Sequence, residues 1–160
     1  MSRPLWAPWR VEYIRSEKET ECFLCRMFSE CGDRENLILF RGTTCAVLMN
    51  RYPYNSGHLM VAPFRHIAEL DDRTPEEILE METLTAKAVT VLREVMAPQG
   101  CNIGINLGLA AGAGLEDHLH QHIVPRWIGD TNFMPVMSDT RVVPEALLTT
   151  YDLLATEFKK

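Results

Sequence analysis

The chain has no apolar run near the roughly 18 residues that a membrane span needs, so no membrane partner is expected. It has no surplus of positive charge either: 16 Lys and Arg stand against 22 Asp and Glu, a net charge of −6. Wholesale binding to duplex nucleic acid is not expected from that balance. A small anionic ligand is still compatible with it, because a local site can carry the opposite sign. Cysteine is sparse and odd in number: Cys22, Cys25, Cys31, Cys45 and Cys101 stand at irregular spacing, a poor disulfide framework. Residues 1–10 carry positive charge but no apolar segment and no small-residue cleavage site, so they do not read as a secretory signal. Reduced thiols in a cytoplasm are the expectation, with Cys31, Cys45 and Cys101 as small apolar filler. Repeats, low-complexity tracts and linkers are also missing. A length of 160 residues then points to one domain, 1–160, with residues 1–20 as an amino-terminal arm. In that arm Trp6, Trp9 and Tyr13 are expected to pack on the domain or on a partner.

What is present has a clear order. Residues 21–30 suit a short helix. Strand-length apolar runs follow at 37–40, 44–49 and 58–62, with a turn by composition at 51–57. Residues 74–97 predict a long helix: Thr74 as N-cap, Pro75 at the first position and Glu77 completing a capping box. Ile78, Met81, Leu84, Ala88, Val91, Leu92 and Val95 follow its 3.6-residue period. Another strand is expected at 101–107, a glycine- and alanine-rich loop at 108–114, and a strand at 118–124 that stops at Pro125. Residues 144–158 predict a last amphipathic helix with Leu147, Leu148, Tyr151, Leu154 and Phe158 near one stripe. Successive strands joined by short turns favour antiparallel pairing, hence an α+β fold.

The informative segment is His118-Leu119-His120-Gln121-His122-Ile123-Val124. A strand's period of two puts the three histidines on one face, about 6.5–7 Å apart, with Leu119, Gln121 and Ile123 on the other. A solvated polar face is the bland reading of such a pattern. Three histidines in register beside a glycine-rich loop fit catalysis or metal ligation better. A purely metallic site is awkward, because the outer two histidines of an extended strand lie about 13 Å apart. A neutral imidazole can attack phosphorus, and a second imidazole can stabilise the charge that develops or protonate a leaving group. The glycine loop lets backbone N–H groups approach phosphate. It has no lysine and matches neither the P-loop nor the dinucleotide pattern, so no organic cofactor is expected.

These residues resemble the signature of the histidine triad (HIT) family. The resemblance extends to Asn50, to Gly57-His58-Leu59-Met60-Val61-Ala62-Pro63 with Arg65-His66, to Asn106 and to Pro125-Arg126-Trp127. The opening Trp6-Ala7-Pro8-Trp9-Arg10 and Gly129-Asp130-Thr131-Asn132-Phe133 are similar to the bacterial branch that includes diadenosine tetraphosphate phosphorylases. The resemblance implies a five-stranded antiparallel sheet with two main helices, one long and one carboxy-terminal, in a homodimer. It implies nucleotidyl hydrolysis or transfer at the α-phosphate of a dinucleoside polyphosphate or other nucleotide conjugate, through a covalent nucleotidyl-histidine. By the family pattern His120 is the nucleophile and His122 contacts the α-phosphate and leaving group. His118 and His58 orient the cluster, Asn50 holds the ribose hydroxyls, and Asn106 lies beside the phosphate. Gly112 and Gly114 offer backbone N–H groups. Two departures stand out: Gln121 replaces a commonly apolar residue, and 113–117 lacks the Gln-Ser or Gln-Thr pair of hydrolase branches. The second departure leans toward a phosphorylase, with inorganic phosphate as acceptor.

Cys22-Phe23-Leu24-Cys25 has metal-knuckle spacing, and the βαβ context of a redox pair is missing. The resemblance supplies two further ligands for a structural zinc, His66 and His118. Arg126 and Trp127 could reach a phosphate or a base, although a solvated Arg and a packed Trp are the simpler reading. Two alternatives to a covalent enzyme stay open: a nucleotide-binding signalling module with little turnover, and a metal-dependent hydrolase.

Overall fold

The computed structural model describes residues 22–111, 117–130 and 147–160. Five strands form one antiparallel sheet in the order β1-β2-β3-β5-β4. They are β1 (Ile38–Arg41), β2 (Cys45–Met49), β3 (Leu59–Pro63), β4 (Gly100–Ile105) and β5 (Gln121–Arg126). Helix α1 (Phe23–Ser29) precedes the sheet, α2 (Pro75–Met96) crosses between β3 and β4, and α3 (Leu147–Phe158) follows β5. The amino-terminal arm, the glycines at 112 and 114 and the expected helix start at Pro144 lie outside the described residues.

The sheet is covered on two faces, and strand parity divides them. Cys45, Val47 and Met49 of β2, Leu59 and Val61 of β3 and Ile123 of β5 pack against Met81, Leu84, Ala88, Val91 and Leu92 of α2 and Tyr151, Leu154 and Phe158 of α3. The alternate residues, Ile38, Ala46, Leu48, Met60 and Ala62, form a smaller cluster with Leu24 and Met27 of α1. Burial on both faces explains why β2 and β3 read as unbroken apolar runs.

Helix α2 begins as its sequence predicts. Thr74 accepts from the Glu77 N–H, Glu77 accepts from the Thr74 N–H, and Pro75 opens the first turn. Ile78 and Leu148 depart from expectation, being 41% and 47% exposed. Each lies three residues before a fully inward residue, Met81 or Tyr151. At 3.6 residues per turn that is about 60° off the buried stripe, on its margin. Glu77 takes the inward position instead and pairs with Arg65 at 2.7 Å. Cys45 is buried as expected and Cys101 half-buried, but Cys31 is exposed just past the end of α1 and fills no core.

The strand expected at 118–124 is displaced. Its ladder begins at Gln121 and continues through Pro125 to Arg126. Proline does not end it, because β3 reaches only to Leu59, opposite Ile123. The Pro125 carbonyl faces that vacated side, where the Asn55 amide donates to it. The missing N–H faces the same way, so no ladder bond is lost.

Glu80 fastens the β1–β2 turn to α2. Its carboxylate accepts from the N–H groups of Thr43, Thr44 and Cys45 and from the Thr44 hydroxyl. A methyl group on Gly42 would meet Glu80 Oε1 at 2.6 Å. Burial opposes ionisation of Glu80, but the bonds from Thr44, Thr43 and Cys45 outweigh it and hold its pKa below the ordinary carboxylate value of 4.5. Glu80→Ala is expected to cost about 1–2 kcal/mol in urea unfolding, because three backbone N–H groups, one of them on buried Cys45, lose their acceptor. A depressed folded pKa gives stability that is present above pH 4.5 and lost as pH falls through the folded value. The difference between wild type and Glu80→Ala should therefore shrink on acidification below pH 4.5.

Candidate active site

The register Met60–His122 places His122 on the α1 face, opposite the long helix. His58 shares parity with Met60 and reaches the same face just before β3. Its ring lies 5.1 Å from that of His122, and the His120 ring is edge-on to His122 at 4.7 Å. Gln121 points the other way, where its amide donates to the Thr85 hydroxyl of α2 at 2.9 Å. The departure at Gln121 is thus met by a partner on the helix face, away from the histidines.

Hydrogen-bond partners fix which ring nitrogens carry protons. The Tyr54 N–H donates to His58 Nδ1 at 3.1 Å, so neutral His58 has its proton on Nε2. That proton faces His122 Nδ1 at 2.9 Å. Neutral His122 then holds its own proton on Nε2. His120 is set the opposite way: its Nδ1 lies 2.8 Å from the His118 carbonyl, which can only accept. Its Nε2 therefore carries the lone pair. Burial pushes the pKa of His120 down, against the raising effect of the bond to His118, and this favours the neutral, nucleophilic ring.

His118 leaves the row. It stands before the ladder, where its Nε2–H donates to the Pro63 carbonyl at 2.9 Å and the Leu119 N–H donates to the Ile67 carbonyl. Its Nδ1 lone pair points at the thiol pair, 3.2 Å from Cys22 Sγ and 3.5 Å from Cys25 Sγ. His66 Nδ1 lies 3.3 Å from Cys25 Sγ. The four ligand atoms all fall within 4.8 Å of one another. With Zn–S near 2.3 Å and Zn–N near 2.0–2.1 Å, a tetrahedral ion needs S···N edges of about 3.6 Å. The spacing fits such an ion, and the bond from His118 to Pro63 fixes the tautomer that a metal ligand requires. The group joins the N-cap of α1, the segment after β3 and the start of the histidine segment.

The remaining predicted residues fall as follows. Asn50 directly follows β2; its side-chain oxygen accepts from the Tyr52 N–H at 2.8 Å and its NH2 faces the Met60 sulfur at 3.6 Å. Asn106 directly follows β4 and is half-buried. Arg126 is engaged by both carboxylate oxygens of Asp130 and by Asn102. Trp127 is half-buried.

Sequence reasoning passed over Tyr54 and the carbonyls of Pro63 and Ile67. The Tyr54 ring stacks on His58 at 4.7 Å, with 25° between the planes. The available signal was the bracket Pro53…Gly57: a reversal there returns the backbone of residue 54 to residue 58. Gly57 makes the reversal, with φ +74°, and a methyl group on it would lie 2.6 Å from the Met96 sulfur. Gly57→Ala is expected to cost about 1–3 kcal/mol from crowding and left-handed strain. A thermal melt measures that loss, and any turnover should fall with it because His58 is displaced.

The HIT domain family model matches residues 32–127. The chain is 40% identical to the AP-4-A phosphorylase of Mycobacterium tuberculosis over 98% of its own length and 84% of that protein. It is 35% identical to the asymmetrical bis(5'-nucleosyl)-tetraphosphatase of Schizosaccharomyces pombe, over 56% of this chain and 48% of the other. Among solved structures, a zinc-bound histidine triad family protein from Mycobacterium smegmatis superposes with a TM-score of 0.68, covering 87% of this chain and 94% of that one at 24% identity. That likeness speaks for the fold, including the five-stranded antiparallel sheet. Together with the register that brings His58, His120 and His122 to one face, the match establishes that the chain belongs to the HIT family.

Proposed function

We propose that the protein is a nucleotidyltransferase of dinucleoside polyphosphates, with His120 as nucleophile and inorganic phosphate as acceptor. One observation carries this reading: His120 Nδ1 faces the His118 carbonyl while His58 Nδ1 takes the Tyr54 N–H, and these partners assign a lone pair to His120 Nε2 beside a proton on His122 Nε2. The name of the full-length relative supports the choice of acceptor.

In the first step His120 Nε2 attacks the α-phosphorus. A P–N bond forms while the bond to the bridging oxygen breaks, and the nucleoside polyphosphate leaves as an anion. His122 Nε2–H donates a hydrogen bond to the oxygen where charge builds. His120 becomes cationic, and its Nδ1–H on the His118 carbonyl spreads that charge. In the second step a phosphate oxygen attacks the same phosphorus, the P–N electrons return to Nε2, and a nucleoside diphosphate departs. A phosphate dianion needs no base for this attack. Asn50 binds the ribose through its NH2, for which the Met60 sulfur is only a weak competitor. Asn106 and the N–H groups of Gly112 and Gly114 serve the phosphates, an assignment made from the sequence.

Cys22, Cys25, His66 and His118 would hold one structural zinc. A closed four-ligand site supplies a crosslink and no open position for a nucleophilic water. Such a thiol pair suits a reducing cytoplasm. The protein would act as a homodimer joined along the open edge of β4. There Ile103 is 50% exposed, and among the described residues nothing lies within 4 Å of a Cβ placed on Gly100 or Gly104. Among the described residues no helix is long and apolar enough to cross a membrane.

Incubation with diadenosine tetraphosphate should yield ATP and ADP only when phosphate is supplied. AMP formed regardless of phosphate would identify water as the acceptor instead. His120→Ala should lower turnover by about 10³-fold or more, and His58→Ala by about 10²-fold through loss of the donor to His122. Physiological activity left intact in His120→Ala, with nucleotide binding retained, would leave a binding module as the better description.

A further inference from the structure

His58 acts in the proposed reaction by setting the tautomer of His122. That task makes two demands on its ring: the proton must sit on Nε2, and the ring plane must point that proton at His122 Nδ1, 2.9 Å away. The first demand is met at the ring edge, where the Tyr54 N–H donates to His58 Nδ1 at 3.1 Å. The second is not met by the backbone, because the last torsion of a histidine side chain has broad wells. The Tyr54 side chain addresses it. Its ring lies on the His58 ring at 4.7 Å with 25° between the planes, within the usual range of a stacked aromatic pair, and stands 5.9 Å from the His122 ring. An imidazole under such a ring cannot turn about its last torsion without displacing it. His58 is fully buried and Tyr54 half-buried, so the same contact helps keep water from the bond between the imidazoles.

The turn around Tyr54 is tied down one residue later. The His58 N–H goes to the Asn55 carbonyl, and the Asn55 amide donates to the Pro125 carbonyl and to Asp130. The N–H that marks His58 Nδ1 belongs to a different peptide, the one joining Pro53 to Tyr54. Among the described residues no hydrogen bond reaches the Pro53 carbonyl at the other end of that peptide. The ring contact with His58 is therefore what seats it. We infer that the Tyr54 side chain is a positioning residue: stacked on His58, it fixes the imidazole plane and holds its own backbone N–H on Nδ1, so that His58 aims Nε2–H at His122 and His122 keeps its proton toward the leaving group. The inference deepens the proposed function and rests on it. Tyr54 acts through His58 and through the flat face of its ring. The phenol oxygen takes no part, so another aromatic ring should serve and a small or aliphatic side chain should not.

The test compares wild type, Tyr54→Ala, Tyr54→Phe, His58→Ala and the double variant Tyr54→Ala/His58→Ala. Three quantities are read: nitrogen-15 chemical shifts of the His58 and His122 rings, AMP affinity by calorimetry, and the single-turnover rate of adduct formation with diadenosine tetraphosphate. Wild type should show the Nε2–H form at both rings. In Tyr54→Ala those shifts should move toward a mixture and the rate should fall about tenfold, with AMP affinity within about twofold. Tyr54→Phe should recover the shifts and the rate together. On the His58→Ala background, adding Tyr54→Ala should change the rate by less than about twofold, because the residue through which Tyr54 acts is already gone. If Tyr54→Ala does not fold, Tyr54→Leu takes its place with the same outcomes. The inference is overturned if the small variant keeps the Nε2–H shifts and the full rate, or if it lowers the rate by the same factor on the His58→Ala background. It is equally overturned if Tyr54→Phe falls as far as Tyr54→Ala, because that assigns the effect to the phenol oxygen. Wild type that shows the Nε2–H shifts and forms no His120 adduct at all would instead reject the proposed reaction.

Discussion

The hydrogen bond from His120 Nδ1–H to the His118 carbonyl is the contact on which the proposed chemistry depends. An imidazole in water divides its proton between two nitrogens, and only the nitrogen without it can attack. A carbonyl oxygen has no proton to give, so its position 2.8 Å from Nδ1 decides the matter. Burial reinforces the choice by favouring the neutral ring. The neighbouring pair is set by the opposite rule: a backbone N–H at Tyr54 has a proton to give, and this turns His58 and then His122 toward the Nε2–H form.

The fold provides the conditions for these contacts. The long helix and the last helix fill one face of the sheet with apolar side chains. Among the described residues the opposite face carries the smaller cluster under α1, and it is on this side that the histidines stand. Gln121 shows how firmly parity holds. A polar residue on the helix face is kept there and satisfied by Thr85, because a one-residue slip would carry His122 to the wrong face.

Much of this was legible in the sequence where a local rule governs it. The capping box at Thr74 and Glu77 depends on three-residue spacing and formed as read. The period of two predicted that His120 and His122 share a face, and their rings meet at 4.7 Å. The thiol pair at Cys22 and Cys25 announced its spacing, and the resemblance pointed to His66 and His118, which the fold brings within ligand distance. What could not be read depends on distant partners. Pro125 continues its strand because β3 ends early. His118 departs from the row because the Pro63 and Ile67 carbonyls, over 50 residues away, hold its segment outside the ladder. Periodicity places a residue on a face; it does not reveal which backbone carbonyl awaits a ring nitrogen.

The most direct measurement is the position of the phosphorus–nitrogen bond. Protein quenched during turnover of diadenosine tetraphosphate can be digested and its adduct located by mass spectrometry. Phosphorus–nitrogen coupling in nitrogen-15 histidine-labelled protein then identifies the ring atom. The account predicts a nucleotidyl group on His120, bonded to Nε2. An adduct on His122, or one on His120 bonded through Nδ1, would contradict it.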